Sequence, residues 1–226
     1  FSEGCRCPDC GVDVYVFRKA RNASIRLYNE ALTLAGETDL SGAAANLEQS
    51  LLFDKNNIQA RNLLGLIYCE TGRIGDAYTA ASITARQLRG VGVNFNLAPV
   101  LDVNSNSRNP VIGVRSYGDD AARVAALARE AVRGYAEAGV LCCGKHFPGH
   151  GDTAVDSHLG LPCIDKSLTE LEETELLPFR AAIGSGIPAI MSSHILFPRI
   201  EPENIPATMS AAIMRGVLRG RLGFNG

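Results

Sequence analysis

The chain has 226 residues, 46% of them hydrophobic, which is enough to bury the core of one large domain or two smaller ones. Its formal net charge of -2, without any Lys/Arg run, offers no basic face to a nucleic-acid backbone or an anionic membrane. No apolar stretch approaches the ~20 residues of a spanning helix, and the opening FSEGCRC lacks the basic and apolar regions of a signal peptide. Neither a nucleic acid nor a membrane is therefore expected as a partner. The seven cysteines are an odd number, which suits a reducing, cytoplasmic setting.

Residues 1–22 form a Cys-containing N-terminal segment. Cys5, Cys7 and Cys10 cluster there, and CPDCG has the tight Cys-x-x-Cys turn of a zinc knuckle. A structural zinc needs four ligands, and neither a second Cys pair nor a nearby His follows, so no metal and no cofactor is expected. Cys69, Cys142, Cys143 and Cys163 sit in apolar or mixed surroundings and read as small buried hydrophobes.

Residues 23–77 read as helical and repeat at a period of about 34 residues: Ala31 matches Gly65, Leu34 matches Tyr68, Leu40 matches Ile74 and Ala43 matches Ala77. Small residues at one set of positions and large apolar ones at another are what stacked helical hairpins need, because helices approach closely only where side chains are small. The stretch NIQARNLLGLIYCETGRIGDA, residues 57–77, resembles a tetratricopeptide repeat through Leu64, Gly65, Tyr68, Gly72 and Ala77. That resemblance implies a peptide partner for the segment. Fewer than the roughly three repeats needed for independent stability are present.

From Tyr78 the pattern alternates helix and strand. A helix is expected over 78–89, a buried strand over 93–103, and a helix over 119–138 whose apolar stripe (Val124, Leu127, Ala128, Ala131, Tyr135, Ala138) is closed by Gly139. A short strand over 140–144 runs into GKHFPGHGDTAVDSHLGLP, residues 144–162. Ser167 and Glu170 form a capping box that starts a helix reaching to about Ile183, followed by a strand over 189–193 and a last helix over 210–222. Strand, crossover helix and strand in repetition imply an α/β fold with parallel pairing, in which all strand ends point one way.

That geometry collects the polar residues. Asp102, Lys145 with His146, and His194 each fall at the C-terminal end of an expected strand, with Arg115 and the cluster from Asp152 to His158 on the loops that follow. Three of the four histidines lie in the 144–162 stretch, among glycines and a proline that forbid a regular helix. A dense set of titratable groups on an irregular loop suits a catalytic site.

The motifs NFNLAPVLDVN (94–104), NPVIGVRSYG (109–118), GKHFPGHGDTAVDSHLGLP (144–162) and AIMSSHILFP (189–198) resemble the catalytic barrel of glycoside hydrolase family 3, in its bacterial β-N-acetylglucosaminidase branch. The resemblance implies a partial (β/α)8 barrel over 78–226, preceded by the small all-α tetratricopeptide-like segment. It implies removal of terminal β-linked N-acetylhexosamine, N-acetylglucosamine in particular, from cell-wall or other saccharides with retention. It assigns proton transfer to His158, supported by Asp156 two residues before it, and gives Arg115, Lys145 and His146 the task of holding sugar hydroxyls. A histidine suits both halves of a retaining reaction, since its ordinary pKa of about 6.5 lies near working pH. Asp156 would fix the imidazole tautomer, and Gly149, Gly151 and Ala154 suit a loop that moves in over substrate.

Asp102 and His194 occupy the right strand ends without an equally firm role. His150 and Asp152 are expected to shape the loop, and Cys142 and Cys143 to pack a strand. Two departures from the family stand out. Its nucleophile is an Asp ending a strand that begins just after a segment like RLGFNG, which places it beyond Gly226. The barrel's opening strands are not upstream, where the tetratricopeptide-like region stands instead. A closed barrel takes about 250 residues, and three strands leave exposed sheet edges, so little or no hydrolysis is expected of this chain alone. Alternatives are a tetratricopeptide-type binding module joined to a non-catalytic sugar-binding barrel fragment, or a chimeric reading frame joined near 76–78, where no polar linker is found.

Overall fold

A computed structural model describes residues 6, 8, 14–71, 74–154 and 160–226. Cys5, Cys7 and Cys10, and the expected acid/base residues Asp156 and His158, lie outside the described residues. The chain divides into two compact units between Thr71 and Gly72.

The first unit holds three helices, α1 (Val14–Gly36), α2 (Leu40–Phe53) and α3 (Ile58–Glu70). α1 starts well ahead of residue 23, where the helical repeat was expected to open. Its buried centre is built on small residues, Ala31, Ala43, Ala44 and Ala60, with Leu47, Leu64 and Ile67 filling the space between the helices. At the α1–α2 crossing the buried hydroxyls of Ser24 and Ser50 bond to each other at 2.8 Å, so neither is left without a partner. Asp39 caps α2 by accepting from the Gly42 amide at 2.9 Å.

The second unit is α/β. Helix α4 (Ile74–Gly90) runs unbroken through the expected junction at 76–78, and packs on α5 (Ala121–Glu137). Gly134 makes this approach possible: a Cβ there would lie 2.5 Å from the Tyr78 carbonyl oxygen and 2.9 Å from the Ala81 Cβ. The expected stripe of α5 is buried through Val124, Leu127, Ala128, Ala131 and Tyr135, and Gly139 ends it at φ +72°.

Three parallel strands, β1 (Phe95–Asn96), β2 (Leu141–Phe147) and β3 (Ala189–Ser192), pair in the order β1-β2-β3. β1 is much shorter than the strand expected over 93–103, because Pro99 has no amide hydrogen to give to the ladder. The chain nevertheless keeps alongside β2: Cys143 N donates to Ala98 O at 2.9 Å, Lys145 N to Pro99 O at 3.1 Å and Leu101 N to Lys145 O at 2.6 Å. The sheet has open edges at β1 and β3 among the described residues, with Phe95 and Leu141 exposed on the β1 side.

The capping box of Ser167 and Glu170 forms as expected, the Ser167 amide donating to Glu170 Oε2 at 2.7 Å. The helix it starts does not last to Ile183. It breaks into α6 (Leu168–Glu173) and α7 (Leu176–Gly184) because Pro178 cannot donate to the carbonyl of Thr174 and its ring would strike it. Helix α8 (Ala212–Arg221), of the wide π type, closes the unit. Its core joins Phe147, Phe179, Phe197, Leu171, Leu176, Ile195, Ile213 and Leu218 around the sheet. No helix among the described residues is long and apolar enough to cross a membrane.

Candidate active site at the strand ends

The polar residues that sequence placed at strand ends do share one face. Asp102 follows the bridge of Val100 to Lys145, Lys145 and His146 close β2, and His194 comes two residues after β3. Asp102 is fully buried and is the hub of this face. Its Oδ2 accepts from His146 Nδ1 at 2.7 Å, and its Oδ1 accepts from the His146 amide at 3.2 Å and the His150 amide at 2.7 Å. Three donors satisfy a carboxylate that would otherwise be far too costly to bury. The bond to Nδ1 also fixes the tautomer of His146 and leaves Nε2 as the atom it can present to a ligand. Sequence reasoning gave Asp102 no firm role; its signal was a lone acid in an otherwise apolar run, APVLDV.

Lys145 is half-buried, and its ammonium is held below the ordinary lysine range, first by burial and then by the positive charge of Arg115. The two cations that were expected to hold sugar are therefore close enough to repel. Arg115 ends a short 3-10 turn, Gly113–Arg115, and is exposed apart from an Nη1 bond to Val111 O at 3.2 Å. His194 is exposed, with Nδ1 2.8 Å from Thr208 Oγ1. The face thus offers an exposed guanidinium, a partly desolvated amine and two imidazoles, a set that donates to hydroxyls and holds no preorganised thiolate. Burial and then the neighbouring Cys143 push the Cys142 thiol up to about 11, and burial likewise raises Cys143, so both pack the strand as expected. Cys163 departs from the sequence reading: it is exposed, in a bridge to Leu196 on the surface.

The described start of the segment after β2 is held by named bonds at residues 150–153. Asn109, missed by sequence reasoning, donates from Nδ2 to His150 O at 2.7 Å and Gly151 O at 3.0 Å, while its Oδ1 accepts from the amides of Val111 and Ile112 at 2.8 Å each. The His150 ring is buried edge-on to His146, with centroids 5.9 Å apart, and its Nδ1 meets Thr153 Oγ1 at 2.7 Å. Gly149 and Gly151 allow a close approach of the backbone to its neighbours. A Cβ on Gly151 would stand 1.6 Å from the Val103 oxygen, and one on Gly149 would stand 2.7 Å from the Glu175 Cβ. His150 and Asp152 shape this loop as expected.

Asp152 Oδ2 bonds the Lys166 ammonium at 2.9 Å, and Lys166 also bonds the fully buried Glu175 at 2.5 Å. Burial alone would lower the Lys166 pKa, but the hydrogen bonds and charges of Glu175 and Asp152 outweigh it and hold the pKa above its ordinary value. A lysine with a raised folded pKa gives stability that is fully present below the unfolded value and lost as pH rises through the folded one. Folding stability is thus expected to fall above about pH 10.4 in a step that Lys166→Met removes, checked by urea midpoints between pH 8 and 12. A wild-type curve that falls no more steeply than the variant's contradicts it.

A family model, glycosyl hydrolase family 3 N terminal domain, matches residues 24–226. The chain belongs to glycosyl hydrolase family 3. Within that family, it is 40% identical over 195 residues to beta-hexosaminidase A of Pseudoalteromonas piscicida, covering 81% of this chain and 32% of the relative. It is 53% identical to a family 3 beta-N-acetylglucosaminidase of Paenibacillus sp. str. FPU-7, with a TM-score of 0.66 over 69% of this chain and 30% of that one. The NagZ of Neisseria gonorrhoeae, solved with N-trifluoroacetyl-D-glucosamine, is 36% identical, with a TM-score of 0.66 over 74% of this chain and 49% of its own. The chain spans about a third to a half of the length of the curated relatives it matches.

Proposed function

We propose that this chain is the sugar-holding part of a retaining glycoside hydrolase that removes terminal β-linked N-acetylhexosamine, N-acetylglucosamine above all, from cell-wall or other saccharides. The observation that carries the reading is the Asp102–His146 pair beside Lys145 and Arg115 at the open end of a parallel sheet. It is supported by relatives named beta-hexosaminidase and beta-N-acetylglucosaminidase. Arg115, Lys145 and His146 would hold sugar hydroxyls and fix the anomeric carbon. His158, with Asp156 behind it, would first give a proton to the leaving oxygen and later take one from water. The nucleophile would come from a strand that follows residue 226 in the whole protein, completing a (β/α)8 barrel to which 78–226 contribute a part.

Residues 23–77 are proposed as tetratricopeptide-like hairpins able to hold a peptide, on the strength of the small residues at their helix crossings. The free thiols of Cys142, Cys143 and Cys163 support a cytoplasmic setting. The direct test is hydrolysis by the whole protein of 4-nitrophenyl N-acetyl-β-glucosaminide and the matching glucoside, with the first product anomer read by proton NMR. The expected result is at least about tenfold preference for the N-acetylated substrate, with the β-anomer appearing first. Equal rates on both, or an initial α-anomer, would sink the reading.

A further inference from the structure

His194 belongs to the strand-end face, yet the proposed chemistry gives it no task. It lies on the chain that leaves β3, next to the end of β2. Lys145 pairs with Met191 and Phe147 with Ser192, and the amide and hydroxyl of Ser193 both donate to Phe147 O, at 2.7 and 2.9 Å. Neighbouring strands stand about 5 Å apart, so the backbone of His194 is carried beside the end of the strand that presents Lys145 and His146. Ser193 and Ile195 are buried on either side while His194 itself is exposed, which turns its ring away from the core at the open end of the sheet. The ring is held by one bond, from Nδ1 to Thr208 Oγ1 at 2.8 Å. Thr208 sits on a turn that is itself anchored. Ala207 is buried and its amide donates to Ile195 O at 2.8 Å, while the buried Ser210 accepts from the Ile213 amide of α8 at 3.1 Å and donates to Glu201 Oε2 at 2.6 Å.

His146 is held by the same device, with an oxygen of Asp102 on Nδ1 and Nε2 left over. An oxygen partner on Nδ1 orients an imidazole and leaves Nε2 as its atom for a ligand. We propose that His194 is a further sugar-holding residue, bonding a polar substituent of the terminal sugar through Nε2, with Thr208 as the positioning residue that orients its ring. The proposal deepens the sugar-holding reading given under Proposed function and rests on it. The hydrogen-bond inventory of the face supplies the reason. Arg115 and Lys145 are donors alone, whereas a bound sugar hydroxyl or amide N–H also brings a hydrogen that needs an acceptor. The lone pair of an imidazole Nε2 provides one. Asp102, a carboxylate, accepts from Nδ1 and so sets His146 in one tautomer, while the Thr208 hydroxyl either donates or accepts and lets His194 present a lone pair or an N–H as the sugar requires.

A contact with the sugar is read by removing its two sides in turn. In the whole protein, wild type, His194→Ala, Thr208→Val and the double variant are compared by kcat/KM on 2,4-dinitrophenyl glycosides, whose leaving group needs no proton and keeps acid catalysis out of the reading. The sugars are N-acetyl-β-glucosamine, its 3-, 4- and 6-deoxy analogues, and β-glucose, which lacks the acetamido group. His194→Ala is expected to lose about tenfold on the parent sugar and less than about twofold on at least one of the others, the one missing the contacted group. Thr208→Val is expected to lose about threefold, with Thr208→Ser close to wild type and the double variant no worse than His194→Ala, because the threonine acts through the ring. A merely structural role would lower the rate on every sugar alike. Losses of equal size across the panel, or no loss, overturn the contact, and a double variant whose loss is the product of the single losses overturns the role of Thr208. If the wild-type protein cleaves none of these substrates, the hydrolase reading fails by itself, and calorimetry with N-acetylglucosamine decides the contact. Weaker binding by His194→Ala then upholds it, and equal or absent binding rejects it.

Discussion

Substituting His158 by alanine in the whole protein is expected to lower kcat/KM for phenyl N-acetyl-β-glucosaminide by about 10²- to 10⁴-fold, the span that a positioned acid/base contributes. Without an acid the phenolate must leave unprotonated, whereas a dinitrophenolate needs no help, so the loss should shrink steeply on the dinitrophenyl substrate. Added azide should then accelerate turnover of that substrate by the variant, because an anionic nucleophile needs no general base to attack a glycosyl-enzyme. A variant that hydrolyses the phenyl substrate at the wild-type rate would remove His158 from the mechanism.

Replacing Gly151 by alanine is expected to destabilise the second unit by about 4 kcal/mol or more, among the largest effects a single methyl group can have. A Cβ 1.6 Å from the Val103 carbonyl oxygen cannot be accommodated by side-chain rotation, since the obstacle is backbone, with Asn104 N only 3.2 Å away. Either the 150–153 segment lifts away, breaking the bonds from Asn109 and the Asp102 bond to the His150 amide, or the chain after β1 shifts. Urea unfolding measures the loss; Gly184→Ala, where a Cβ would meet nothing within 4 Å, is the control expected to move the midpoint little. A Gly151→Ala midpoint equal to the control's contradicts the steric reading.

What could be read from sequence follows the range of the interactions concerned. The α5 stripe, the Gly139 stop and the Ser167–Glu170 box were legible because each is decided within a few residues. The parallel pairing of the three strands followed from the alternation of elements. The break between α6 and α7 was also written locally, in Pro178, but the apolar run around it masked the signal. For the site, Lys145, His146 and Arg115 could be placed on one face, since strand ends in a parallel sheet are set by topology. Asp102 as hub, Asn109 as stitch and the Lys166–Glu175 pair were not legible, because their partners stand from nine to 48 residues away and nothing in the local pattern chooses them. Gly149 and Gly151 also serve a close approach that was not legible, since only the neighbouring backbone reveals it.

The three bonds to Asp102 bear on how this scaffold can evolve or be redesigned. One carboxylate orients the ring of His146 and, through backbone amides, the start of the loop at His150, so positions 102 and 146 form a single mutational block, while a change of side chain at 150 leaves its amide bond in place. Changes at 102 and 146 are expected to be strongly non-additive with each other. A library that varies these two positions one at a time will record inactive clones at each, while new sugar preferences will appear only among clones in which both change together.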